Sequence, residues 1–234
     1  MKKYCIFSDV HGNISILRRL AQTQDFITAD RRIFLGDAVG CCPFFNEVVD
    51  LLFSTDCIVL LGNHDVRAIF DIYNQNADNH NLKPHFGYIR ETLRPDLLQK
   101  LQSAPLHYAE EINGKKFYFT HYIWRDDKTI TPRIKPITAQ NIFDKFSSID
   151  ADYVFYGHEH KESFFVHKGK TLVGVGSLGM KCPGNYIMLY INDDGTFNIT
   201  RHRLPFDLQK LRAECYASDM PQCKEIISTF NFHE

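Results

Sequence analysis

Short apolar runs that end in small polar residues dominate the first third of the chain. Tyr4-Cys5-Ile6-Phe7 leads into Ser8-Asp9-Val10-His11-Gly12-Asn13. Ile14, Leu17, Leu20 and Ala21 then recur at helical spacing, with Arg18 and Arg19 on another face. Arg32-Ile33-Phe34-Leu35 repeats the pattern and ends in Gly36-Asp37-Ala38-Val39-Gly40. Pro43 precedes a helical pattern over 44–54, carried by Phe45, Val48, Val49 and Leu52. A third run, Cys57-Ile58-Val59-Leu60-Leu61, delivers Gly62-Asn63-His64-Asp65, and a helix is expected over about 66–73. Three strand–loop–helix units predict an α/β sheet with parallel pairs.

Residues 71–94 break this rhythm. Asn74-Gln75-Asn76 and Asp78-Asn79-His80-Asn81 are turn-prone, and the stretch reads as a cap or rim inserted near the polar loops. Residues 87–93 are expected to be helical, and Pro95 suits the first turn of a helix through Ser103. After Pro105 the pattern turns to hairpins. Runs 106–112 and 115–120 flank Asn113-Gly114, and the second ends in Thr120-His121. A loop over 122–136 carries Arg125, Lys128, Arg133 and Lys135, and a helix is expected over 138–147. Asp152 to Tyr156 is a strand ending in Gly157-His158-Glu159-His160. Two more hairpins follow, 163–167 with 170–175 and 186–192 with 196–202, separated by the tight Gly176-Ser177-Leu178-Gly179 loop. The tail, 206–234, is mostly helical from Leu208 to about Phe230, with a break at Pro221. No Gly/Ser linker divides the chain. A single domain over 1–234 is expected, with α/β units first and then a β-rich half carrying a second sheet.

Composition narrows the function classes. A net charge of −1 provides no global field toward nucleic acid or an anionic membrane. No apolar run approaches the ~20 residues of a membrane span. No signal-peptide core follows Met1-Lys2-Lys3. Seven cysteines, an odd number without a CxxC pair, read as reduced thiols. A cytoplasmic location is therefore expected.

The chemistry lies at the ends of the apolar runs. Five clusters stand there: Asp9 with His11, Asp37, Asn63-His64-Asp65, His121, and His158 with His160. In an extended segment residues i and i+2 point to one side, so Asp9 and His11, and His158 and His160, can each aim at one point. Asp9 and Asp37 bring carboxylates, five histidines bring imidazoles and Asn63 brings an amide oxygen, with no Cys inside these motifs. Such a set suits Mn²⁺, Fe or Zn²⁺. It is large enough for two ions, which Asp37 can bridge. Two divalent ions less the charges of Asp9 and Asp37 leave about +2, which attracts phosphate. Paired ions activate water as a hydroxide and clamp the oxygens of an in-line displacement, the chemistry of phosphoester hydrolysis.

In this order the motifs D-x-H (Asp9, His11), G-D (Asp37), G-N-H-[DE] (Asn63, His64, Asp65), a single His121 and G-H-x-H (His158, His160) resemble the calcineurin-like metallophosphoesterase family. The resemblance implies a four-layer αββα sandwich of two mixed sheets. It implies one metal on Asp9, His11, Asp37 and His160, and a second on Asp37, Asn63, His121 and His158. It also implies that His64 contacts the phosphate and protonates the leaving oxygen, that Asp65 orients His64, and that Asn13 binds phosphate or ligand. Residues 36–48 look like the G-D-x-V-G-Y-G-P-x-P-N-E-V stretch of small prokaryotic members, with departures at Cys41, Cys42 and Phe45. The two cysteines read as packing residues. The expected activity is that of a two-metal phosphoesterase on phosphodiesters or nucleotide polyphosphates, with Mn²⁺ first among the ions. A protein phosphatase is the alternative, although Leu61 and Asp65 depart from the R-G-N-H-E of that group. A non-catalytic interaction protein on the same fold is the third reading.

Overall fold

The computed structural model describes residues 1–73 and 82–229. Strand β1 (Lys2–Phe7) pairs in parallel with β2 (Arg31–Phe34), and β2 with β3 (Cys57–Val59). Alternation along these strands divides their side chains between two cores. Cys5, Phe7, Phe34 and Val59 face a layer of helices, whereas Tyr4, Ile6, Ile33 and Leu60 face the other sheet. Burial on both faces explains why the runs read as continuously apolar.

The helical layer comprises α1 (Ile14–Ala21), α2 (Gln24–Ile27), α3 (Phe45–Ser54), α4 (Asn63–Phe70), α5 (Lys83–Thr92) and α6 (Pro95–Gln102). Leu17, Leu20, Val48, Leu52, Val66, Ile69, Phe86 and Leu97 join its core. The short α2 was not predicted. Thr23 caps it, and its Phe26 packs on Phe7 with ring centroids 6.1 Å apart. Helix α4 begins at Asn63, three residues before the predicted start, so the polar motif forms its first turn. Of the cap segment, 74–81 lies outside the described residues. The remainder forms α5, which packs on α4.

The second sheet has the order β4-β5-β6-β8-β7, from β4 (His107–Ile112), β5 (Lys115–Thr120), β6 (Tyr153–Tyr156), β7 (Glu162–His167) and β8 (Lys170–Val175). Asn113 and Gly114 take left-handed φ values of 50° and 71°, as a two-residue hairpin requires. Phe117, Phe119, Phe155, Val173 and Val175 pack against the first sheet, and α7 (Ala139–Lys145) covers the other face through Ile142.

The third hairpin does not join the second sheet. Strands β9 (Gly184–Ile191) and β10 (Phe197–Leu204) return to the first sheet, whose order is β10-β9-β1-β2-β3. β9 runs antiparallel to β1, with Ile6 opposite Ile187. Alternation gave β9 two apolar faces but could not say which sheet had a free edge for it. The expected layers hold: two mixed five-stranded sheets flanked by helices. Helices α8 (Leu208–Ala217) and α9 (Cys223–Thr229) follow, with Leu211, Cys215, Cys223 and Ile227 buried in the helix-side core. The break between them spans 218–222, and Phe230 of the predicted tail helix lies outside the described residues.

Candidate active site

The loops after β1, β2, β3, β5 and β6 meet along one edge of the sandwich. Past the strand ends the backbone ladder continues: Asp9 N donates to Gly36 O at 3.0 Å and His11 N to Asp37 O at 2.9 Å. The two sheets are joined by the amide of His158, which donates to Asp9 Oδ2 at 3.2 Å. Extended alternation is not what brings these side chains together. Asp9 (φ 57°), His11 (50°), Asp37 (62°), His158 (66°) and His160 (55°) all sit in the left-handed region. For non-glycine residues this costs on the order of 1 kcal/mol each, and such strain collects at functional sites. Close approach also dictates glycine beside them. A Cβ on Gly62 would lie 2.1 Å from Asp37 Oδ1, and one on Gly157 2.1 Å from Ser8 Oγ.

Two groups of donor atoms converge around Asp37. In the first, His160 Nε2 lies 3.0 Å from Asp9 Oδ1 and 3.2 Å from His11 Nε2, which is 3.6 Å from Asp37 Oδ2. One donor atom from each of Asp9, His11, Asp37 and His160 lies within 4.8 Å of all the others, so the set could hold a metal ion. In the second, Asp37 Oδ2 is 3.3 Å from His121 Nε2. His121 Nε2 and His158 Nδ1 face Asn63 Oδ1 at 3.1 and 2.9 Å. The donors are buried carboxylates, imidazoles and one amide, the chemistry of a borderline divalent cation. Asp9 Oδ1 is fully buried and faces the Nε2 atoms of His160 and His11 at 3.0 and 3.7 Å, the place an ion shared by these three side chains would take.

Residues 2–194 match the family model of the calcineurin-like phosphoesterase superfamily domain. The chain belongs to that superfamily. This makes it a metallophosphoesterase, a hydrolase of phosphoric esters. An uncharacterized protein of Methanocaldococcus jannaschii is 25% identical over 237 residues, covering 93% of each chain. Among solved structures, a metallophosphoesterase from Sphaerobacter thermophilus superposes with a TM-score of 0.72 at 19% identity, covering 99% of this chain and 98% of that one. A hypothetical protein from Pyrococcus horikoshii gives 0.79 at 14% identity, over 100% and 98%. These two likenesses concern the fold.

Within this phosphoesterase fold, Asp65 and Asn13 are both engaged by main-chain groups. Asp65 uses both carboxylate oxygens on backbone amides. Its Oδ2 accepts from Gly62 N and Asp37 N, both at 2.8 Å, and its Oδ1 from Val39 N at 3.0 Å. It therefore caps α4 and pins the Asp37 loop, while His64 Nδ1 has no hydrogen-bond partner among the described residues. Asn13 is fully buried. Its Oδ1 caps α1 by accepting from Ile16 N, and its Nδ2 donates to Gly179 O at 3.0 Å. That contact ties down the Gly176–Gly179 loop, whose Ser177 Oγ donates to Asp9 O at 2.9 Å. His64 stands half-buried at the mouth of the site, 5.3 Å from the ring of Phe86. Its own backbone amide, in the first turn of α4, donates to Asp37 Oδ1 at 2.8 Å.

Charges and burial compete throughout the cluster. Burial pushes the Asp37 carboxyl up, but His121 and His64 outweigh it and hold it well below the usual carboxylate range. Asp9 behaves likewise, with His160 and His121 against burial. Burial pushes the His121 imidazole down, yet Asp37 and Asp9 keep it above its ordinary value. For His64 burial prevails over the pull of Asp37, and the ring is held well below.

Several neighbours escaped sequence reasoning. Leu35 O faces His121 Nδ1 at 3.1 Å and fixes that ring. Arg133 Nη2 donates to His158 O at 2.7 Å. Arg90 pairs with Asp71, and Arg94 with Asp50 and Asp96. Glu159, inside the G-H-x-H motif, accepts from Tyr122 Oη and from Ile134 N. Cys41 lies against His11 and His64, closer to the chemistry than a packing residue would need to be. No spacing rule in the sequence marks any of these contacts.

Proposed function

We propose that this protein is a two-metal phosphoesterase acting on phosphodiesters or nucleotide polyphosphates. The observation that carries the reading is Asp37 Oδ2, set between His11 Nε2 and His121 Nε2 at 3.6 and 3.3 Å and thus between the two donor groups. Asp9, His11, Asp37 and His160 would hold one ion, and Asp37, Asn63, His121 and His158 the other. Mn²⁺ is the first choice, with Fe and Zn²⁺ as alternatives. Bound ions would lower the pKa of water and neutralise phosphoryl charge.

The chain's own residues supply the rest. His121 is oriented by Leu35 O, as a ligand imidazole requires, and Arg133 braces the backbone of His158 through its carbonyl. His64, neutral in the free protein, offers an N–H to a phosphoryl oxygen. An anionic ester beside it favours the imidazolium that protonates the leaving oxygen. Phe86 walls one side of that ring and limits water there. Leu61 and Asp65 in place of the R-G-N-H-E pattern weigh against phosphoproteins.

The hydrophobic cluster shared by both sheets supports reading 1–234 as one domain. Seven free cysteines fit a reducing, cytoplasmic setting. Among the described residues no helix is long and apolar enough to cross a membrane. The test is metal analysis of protein purified without chelator, followed by assay with Mn²⁺ on nitrophenyl mono- and diesters, cyclic dinucleotides, dinucleoside polyphosphates and phosphopeptides. About two metals per chain and turnover of a diester or polyphosphate are expected. Well under one metal, with no turnover after Mn²⁺ addition, defeats the reading and favours an interaction protein. Preference for phosphopeptides reassigns the substrate.

A further inference from the structure

The thiol of Cys41 has no part in the reaction proposed above, yet it is fully buried against the centre. One donor atom from each of Cys41, His11 and His64 lies within 4.8 Å of the other two. The His11 and His64 rings meet edge to face, with centroids 4.6 Å apart. His11 turns Nε2 toward His160 and Asp9, so Nδ1 leaves the opposite edge of the ring, on the side of Gly40 and Cys41. His64 Nδ1 is buried and, among the described residues, without a hydrogen-bond partner. Both Nδ1 atoms press on Gly40, where a Cβ would come within 2.6 Å of His64 and 3.0 Å of His11. Only glycine, at φ 129°, keeps that space open.

We propose that Cys41, His64 and His11 form a second, thiophilic cation site of the Zn²⁺ class on the back of the phosphoesterase centre, sharing His11 with it. One sulfur and two imidazole nitrogens leave a fourth position open, the coordination of an accessible zinc site. A thiolate selects Zn²⁺, Co²⁺ or a softer ion over Mn²⁺, whose preference is for the oxygen-rich donors around Asp9 and Asp37. Binding requires the Cys41 thiol proton to leave to solvent as the sulfur–metal bond forms. His64 and His11 give lone pairs from Nδ1 and keep their protons on Nε2. On His11 that proton faces Asp9 Oδ1 at 3.7 Å and Asp37 Oδ2 at 3.6 Å. One His11 ring therefore serves one ion at a time. Entry is past His64, the half-buried member of the three.

The probe is Co²⁺, titrated into protein stripped of metal by chelator and followed by absorption. A near-ultraviolet thiolate-to-Co²⁺ charge-transfer band is expected in the wild type. Cys41→Ser should lose that band while keeping the visible bands of Co²⁺ at the Asp–His centre. His64→Asn, a change at the mouth that spares the buried thiol, should raise the Co²⁺ concentration needed for the band at least tenfold. A wild type without the band overturns the site, and so does a Cys41→Ser protein that keeps it. Should Cys41→Ser not fold, an unshifted titration in His64→Asn overturns it equally. None of these readings depends on turnover, so a failed phosphoesterase assay leaves them intact.

Discussion

Asp65 Oδ2 accepts a 2.8 Å hydrogen bond from the backbone amide of Asp37, 28 residues earlier in the chain. The same oxygen binds Gly62 N, so one carboxylate fixes both the start of α4 and the loop that presents Asp37. Asp65→Asn puts an N–H₂ or a single oxygen where three amides need acceptors. A buried charge-assisted hydrogen bond and an orphaned donor are together worth about 2–4 kcal/mol. Urea unfolding of the metal-free variant should show a loss of that order. A loss below about 0.5 kcal/mol would mean that water takes over the role of the carboxylate.

Asp37→Asn addresses the bridge directly. It removes the charge shared by both donor groups while leaving an oxygen of similar size. The fold should survive, at least one metal should be lost and turnover should fall by orders of magnitude. Metal analysis beside circular dichroism checks this. A variant with both metals and near wild-type turnover would remove Asp37 from the bridging position.

Metal uptake should release protons. His121 is held above its ordinary value in the metal-free protein. A histidine with a raised folded pKa contributes stability that is fully present below the unfolded value, about 6.5, and lost as pH rises through the folded value. Metal requires the neutral ring, so binding near pH 7 expels that proton, and affinity climbs as pH rises toward and past the folded pKa. Calorimetric titration with Mn²⁺ in two buffers of different ionisation enthalpy measures the release. Zero protons released at pH 7 would contradict this account of His121.

His64 is the one histidine of the five clusters outside both donor groups around Asp37. His64→Ala should leave Mn²⁺ content near the wild type and lower turnover, since proton donation contributes roughly 10²–10⁴-fold. Nitrophenolate leaves without a proton and should suffer less than a nucleoside or alkoxide. Equal losses on the two kinds of ester would reduce His64 to a positioning group. Loss of Mn²⁺ would make it a ligand.

Much of the architecture is legible in one dimension because strand and helix periods are local. Tyr4–Phe7, Arg32–Phe34 and Cys57–Val59 announce strands by their apolar runs, and Asn113-Gly114 announces a hairpin by its tolerance of positive φ. The five polar clusters are visible for the same reason, since each follows its strand directly. Their order along the chain is what carries the family resemblance.

Which edge a strand joins, and which atom a polar group meets, depend on contacts across the chain. β9 bonds to β1 because that edge of the first sheet is open, and a period of two residues is blind to it. Asp9 and His11 converge through left-handed backbone that the alternation rule does not contain. Asp65 meets Asp37 N and Asn13 meets Gly179 O, partners that no local spacing rule names. Cys41 reaches His11 and His64 only after the chain turns at Gly40, where the absence of a Cβ leaves the room. Residue type and spacing therefore determined the strands, the donor inventory and the class of chemistry. Partnership was decided by folding, because hydrogen bonds and close packing act over a few ångströms between segments that the sequence holds far apart.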